Sequence, residues 1–128
     1  MENLSAREEE VMQILWDLER ALVRDIIQKL PNPKPPYTTV SSIVRLLEKK
    51  GFVSHKAYGN TYEYFPIVPI AEYRKRKFKG LLTQYFENSI ENMVSFIVKE
   101  KKISPKELEK LTRMISKKSE NTKQDERE

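Results

Sequence analysis

The chain has 128 residues, with 24 Lys and Arg against 19 Asp and Glu, one His and no Cys, for a formal net charge of +5. That length suits one domain of ordinary size or two small ones. Absent cysteine excludes a disulfide framework, a thiolate zinc site and a Cys nucleophile, a single His excludes a multi-histidine metal site within one chain, and three glycines leave no Gly-rich phosphate loop. A composition 34% charged and 38% apolar is polar for a monomeric globule and points to exposed helices or to burial shared with a partner. The start, MENLSAREEE, resembles neither a signal nor a transit peptide. No apolar run approaches the ~18 residues that cross a bilayer. The expectation is a cytoplasmic protein with no membrane insertion, no cofactor and no metal.

The first helix opens at Leu4-Ser5-Ala6-Arg7-Glu8, where Ser5 and Glu8 have capping-box spacing. Val11, Met12, Leu15 and Leu18 follow at helical spacing with Trp16 beside them, and the helix should run to about residue 19. A short connection, Arg20-Ala21-Leu22, leads into a second helix with Val23, Ile26, Ile27 and Leu30 on one face. The run Pro31-Asn32-Pro33-Lys34-Pro35-Pro36 stops it, because proline lacks an N–H and fixes φ. Thr38 and Thr39 are N-cap candidates for a third helix, in which Val40, Ile43, Val44 and Leu47 share one face. Thr38, Ser42, Arg45 and Lys49 fall near the opposite pole, with Ser41 on the flank, and Gly51 supplies the stop. Residues 52–66 are rich in aromatic and β-branched types around Tyr58-Gly59-Asn60, which reads as a hairpin.

From Pro69 onward the pattern is helical. A fourth helix is expected over about 70–86 with Tyr73, Leu81, Leu82, Tyr85 and Phe86. A fifth covers about 89–100 with Ile90, Met93, Val94, Ile97 and Val98. Ser104-Pro105-Lys106-Glu107 opens a sixth, striped by Leu108, Leu111, Met114 and Ile115. Three amphipathic helices of this length make a thin core, so their stripes call for a second copy, with Leu81, Leu82, Tyr85, Phe86, Ile90, Met93, Val94, Ile97, Leu108, Leu111 and Ile115 as the dimerising set. The expected organisation is a domain at 1–68, a helical dimerisation domain at 69–118, and a polar tail at 119–128 expected to be disordered.

Charge is unevenly placed. Residues 1–70 balance to zero and 71–128 carry the whole +5. Within the neutral half, residues 1–33 are acidic, whereas 34–70 hold Lys34, Arg45, Lys49, Lys50 and Lys56 against only Glu48 and Glu63. A second basic cluster is Arg74, Lys75, Arg76, Lys77 and Lys79, for which a solvated helix face is as good a reading as a binding role.

Three helices followed by a two-stranded ribbon is the element order of a winged helix-turn-helix, in which the third helix enters the ~12 Å major groove of double-stranded DNA. Thr38, Thr39, Ser41 and Ser42 are short enough for close approach and offer hydroxyls, Arg45 can fork onto guanine, and Lys49 is placed to meet phosphate. His55, Lys56, Tyr58, Asn60 and Thr61 surround the hairpin tip and suit the flanking backbone. An ordinary polar surface helix is the plainer reading of that face, and a non-specific chromosome-associated protein is the alternative for the whole chain. Catalysis is disfavoured: its only acid–base candidates are Glu8, Glu9, Glu10 and His55, and the glutamates sit where a helix dipole favours carboxylates.

The segments LSAREEEVMQILWD, VRDIIQKL, YTTVSSIVRLLEKKGFV and KAYGNTYEYFPIV resemble the bacterial penicillinase-repressor (BlaI/MecI/CopY) family over roughly residues 4–116. The resemblance implies a homodimeric winged-helix repressor on a palindromic operator. It also implies a membrane sensor-protease partner and derepression by cleavage in the dimerisation helices, at a position that aligns near Phe96 and Ile97. Four departures stand out: Glu9 where an apolar residue is common, Leu46 where Arg is common with Arg45 just before it, Phe96-Ile97 near where the β-lactam branch has a scissile Asn-Phe, and no C-terminal cysteines of the kind used for copper sensing.

Overall fold

The structure is a computed structural model that describes residues 3–127, with side chains described as far as Lys118. The chain divides into two compact units between Arg76 and Lys77, eight residues beyond the boundary expected from the sequence.

The first unit is built on three helices, α1 (Ala6–Leu18), α2 (Val23–Lys29) and α3 (Tyr37–Lys49), and a hairpin of β1 (Val53–Tyr58) and β2 (Thr61–Pro66). The expected capping box forms: the Ser5 hydroxyl accepts from the Glu8 N–H at 3.2 Å, and Glu8 Oε1 accepts from the Ser5 N–H at 2.8 Å. Val11, Met12 and Leu15 on α1 meet Val40, Val44 and Leu47 on α3, all fully buried, in a dry core completed by Ile26, Leu30, Phe52 and Val53. The strands pair antiparallel from Val53↔Pro66 to Tyr58↔Thr61 across a two-residue turn, where Gly59 takes φ +61°.

Several details differ from expectation. Pro36, not a threonine, holds the N-cap of α3, and its carbonyl accepts from Thr39 and Val40, so Thr38 and Thr39 lie inside the first turn. Proline already has the extended cap geometry, and the helix therefore starts earlier than the hydroxyls suggest. Ala21 is more than a connector: it exchanges two backbone hydrogen bonds with Tyr64, which adds an isolated antiparallel bridge along the outer edge of β2. Lys34 turns back to donate to the carbonyls of Gln28 and Leu30, closing the C-terminus of α2.

The last turns of this unit belong to α4 (Ile70–Phe86). Tyr73 is buried against Trp16 and Phe52, with ring centroids 5.4 and 6.0 Å away, and its hydroxyl donates to Glu9 at 2.5 Å. Burial first, and then this bond, push the Tyr73 phenol well above its ordinary value. Glu9 thus has a partner that explains a carboxylate at a position where an apolar residue is common. The Trp16 indole donates to the Val68 carbonyl at 2.9 Å, so this ring is half-buried with its polar edge satisfied rather than wholly core.

In the second unit the remainder of α4 is followed by α5 (Ile90–Lys101) and α6 (Pro105–Arg127). Ser89 and Ser104 cap the last two helices. Leu82 is the one hydrophobic side chain buried there among the described residues. The polar tail expected at 119–128 has its side chains outside the described residues; its backbone continues α6 to Arg127. Lys, Glu, Gln and Arg favour that continuation intrinsically.

The sequence did not mark the ion pair between Lys50, at the end of α3, and Glu8, in the first turn of α1, at 2.8 Å with both side chains largely buried. Burial pushes the Glu8 carboxyl up, but hydrogen bonds from Lys50 and Ser5 and the Lys50 charge outweigh it and leave the group below its usual value. A depressed carboxylate stabilises the fold above the unfolded value of about 4.3 and loses that contribution as pH falls through the folded value. Glu8→Gln is expected to lose about 3 kcal/mol in urea denaturation at neutral pH, with the gap to wild type closing on acidification. A gap independent of pH would show that the charge pair is not the source.

Candidate nucleic-acid interface

The core face of α3 uses Val40, Val44 and Leu47, which turns Thr38, Thr39, Ser42, Arg45, Leu46 and Lys49 outward, all exposed. Ser41 is half-buried at the edge of that face. Two of the short polar residues are engaged locally. The Ser42 hydroxyl donates to the Thr38 carbonyl at 2.9 Å, and Arg45 Nη2 donates to Ser41 Oγ at 3.2 Å. The second bond draws the guanidinium toward the hairpin side of the helix.

An open groove of about 440 Å³ lies on that side, lined by Leu22, Val23 and Arg24 at the start of α2, Tyr37, Ser41 and Arg45 of α3, and Asn60, Thr61, Tyr62 and Tyr64 of the hairpin. Tyr37 and Tyr62 are exposed aromatics, and the groove carries two cations and no carboxylate. Arg24, Tyr37 and Tyr62 were not anticipated as site residues. Arg24 reads as an ordinary charge on a short helix, and only the approach of α2 to the hairpin, fixed by the Ala21–Tyr64 bridge, brings it here.

Strand alternation divides the expected hairpin residues between two faces. His55 and Ala57 stand opposite Tyr64 and Tyr62, whereas Lys56 and Tyr58 stand opposite Glu63 and Thr61. His55 turns toward α3. Its Nδ1 lies 2.7 and 2.8 Å from the Glu48 carboxylate oxygens, and its ring stacks on Tyr62 at 4.5 Å. The residue therefore braces hairpin to helix instead of extending from the tip. Lys56 lies over the Tyr58 ring at 5.4 Å and lines a separate depression with Glu19, Arg20, Glu63 and Phe65. Asn60 and Thr61 alone of the expected tip residues line the groove.

Of the five cations in 34–56, Lys34 closes α2, Lys50 neutralises Glu8, and Lys56 turns to the far side of the hairpin. Arg45 and Lys49 remain on the outward face of α3. In the later basic cluster Arg76 pairs with Glu72 at 2.5 Å. Among the described residues no group of three or more His, Asp or Glu could hold a metal, and no helix is long and apolar enough to cross a membrane.

A family model described as "Penicillinase repressor" matches residues 4–117. The chain is 25% identical over 116 residues to the methicillin resistance regulatory protein MecI of Staphylococcus aureus (strain N315), covering 90% of this chain and 94% of that protein. It is 24% identical over 114 residues to a penicillinase repressor of Bacillus licheniformis, covering 88% of each. A solved CopR repressor structure matches 52% of this chain and 97% of its own at 30% identity, with a TM-score of 0.44.

The groove separates Arg24, which lines it, from Lys56, which lies outside it. Arg24→Ala should weaken binding to every DNA duplex about equally and flatten the salt dependence by about one counterion, whereas Lys56→Ala should do so less. Fluorescence anisotropy over a salt series measures both; a larger effect at Lys56 would move the interface to the other face of the hairpin.

Proposed function

This chain belongs to the penicillinase repressor family, a family of transcriptional repressors, and we propose that it is a cytoplasmic repressor that binds a palindromic DNA operator as a homodimer. The outward face of α3 carries this reading: short side chains at Thr38, Ser41 and Ser42 let the helix approach a base-pair edge, and Arg45 reaches it. A guanidinium suits guanine O6 and N7 in the major groove. Lys49, a turn further along, meets phosphate, and Asn60 and Thr61 hold the flanking backbone.

Dimerisation is supported by the second unit. In the single chain Leu81, Tyr85, Ile90, Val94, Ile97, Leu111 and Ile115 all stand exposed, up to 68% at Ile115. So much apolar surface against one buried leucine is not a core, and a two-fold partner offers the same stripes in return. By the same reading, derepression follows a cut near Phe96 and Ile97, which are exposed on α5, by a membrane sensor-protease.

Gel shift against a palindrome selected from random duplexes is expected to give affinity ~10³-fold or more above scrambled DNA at matched salt. Equal affinity would favour a non-specific chromosome-associated protein. Arg45→Ala should cost about 1–3 kcal/mol on the selected site and relax one base position. A Leu81→Glu, Ile97→Glu double variant should sediment as a monomer and lose about 10²-fold or more in operator affinity, because the second half-site no longer comes tethered to the first. Full affinity in a monomeric variant would contradict the dimer.

A further inference from the structure

We propose that Leu46 is a specificity-determining residue that reads the 5-methyl group of a thymine, so that this chain selects an A·T pair beside the pair read by Arg45. The inference rests on the DNA-reading role proposed above for α3.

Leu46 is an aliphatic side chain on the outward face of α3, 44% exposed, between Arg45 and the core residue Leu47. At 3.6 residues per turn it stands about 100° round the helix from Arg45 and about 40° from Ser42. The two edges of the outward face therefore differ in chemistry. The edge toward the hairpin holds Ser41 and Arg45, joined by the 3.2 Å hydrogen bond, and is polar and cationic. Along the other edge lie Thr39, Ser42 and Leu46. The Ser42 hydroxyl proton is already committed to the Thr38 carbonyl, which leaves that edge short of free donors.

In the major groove a thymine C5-methyl is the one apolar feature that a base pair presents, and it calls for an apolar partner. An isobutyl side chain offers no hydrogen bond to guanine or adenine, and it would leave the polar edges of a G·C pair unpaired at the same place. A leucine here therefore selects thymine both by contact and by exclusion. Arg45 and Leu46, adjacent in sequence but a quarter-turn apart, address neighbouring base pairs with opposite chemistry.

The test uses the full chain and a duplex selected from random sequence, with each thymine replaced in turn by deoxyuridine, which removes the methyl alone. Binding is measured by anisotropy at fixed salt for wild type and Leu46→Ala. One thymine per half-site should show an affinity loss of about fourfold on replacement in wild type, the factor expected for one buried methyl. In Leu46→Ala the same replacement should change affinity less than 1.5-fold, with the salt slope unaltered. Leu46 is exposed, so the variant should melt as wild type does, and a thermal scan checks this. If the protein discriminates the selected duplex but no thymine shows a Leu46-dependent loss, this inference fails alone. If no selected duplex is preferred over scrambled DNA, the repressor reading fails and takes this inference with it.

Discussion

The contact between Glu8 and Lys50 joins the first turn of α1 to the last of α3, and the placement of the outward face depends on it. Both charges are largely removed from water, where an unpaired one would be costly, so the pair tolerates little sliding of one helix along the other. Ser5 completes the arrangement by capping α1 and bonding the same carboxylate, which makes one residue both cap and tether. With α3 held this way, Val40, Val44 and Leu47 fill the core and the residues between them must face out. The proposed interface is thus a consequence of the packing on the opposite side of the same helix.

A second brace works from the hairpin. His55 meets Glu48 of α3, Tyr62 and Tyr64 flank the imidazole, and Ala21 pairs with Tyr64. These contacts place β1 and β2 beside α3 and draw the start of α2 into the groove. Tyr73 carries the same logic toward the second unit: buried on Trp16 and Phe52 and bonded to Glu9, it fixes the start of α4 on the first unit. The carboxylate at Glu9, unusual for its position, is explained by that phenol.

Much of the first unit was legible because its signals are local. Apolar spacing marked five of the six helices to within two or three residues, whereas α6 continues through the polar segment expected to be disordered, and Gly59 with Asn60 marked the hairpin turn. What could not be read were pairings between distant positions. Lys34, Lys50 and Lys56 count equally in a charge sum, yet one caps a helix, one neutralises a buried carboxylate, and one faces away from the groove. His55 was assigned to the hairpin tip because its partner, Glu48, lies on another element. Arg24 and Tyr37 entered the groove only through tertiary packing. Composition had suggested a generally basic protein, whereas the proposed interface rests on a few outward-facing side chains along α3.

We propose that DNA meets the outward face of α3 and the groove beside it, and not the most basic stretch of the chain. Backbone amide NMR shifts of the full chain, titrated with a selected duplex, test this most directly. Perturbations should concentrate at Arg24, Tyr37, Ser41, Arg45, Leu46, Lys49, Asn60 and Thr61, with Lys34 and Lys56 little moved. Perturbations centred on Arg74 to Lys79, with α3 unmoved, would contradict the account.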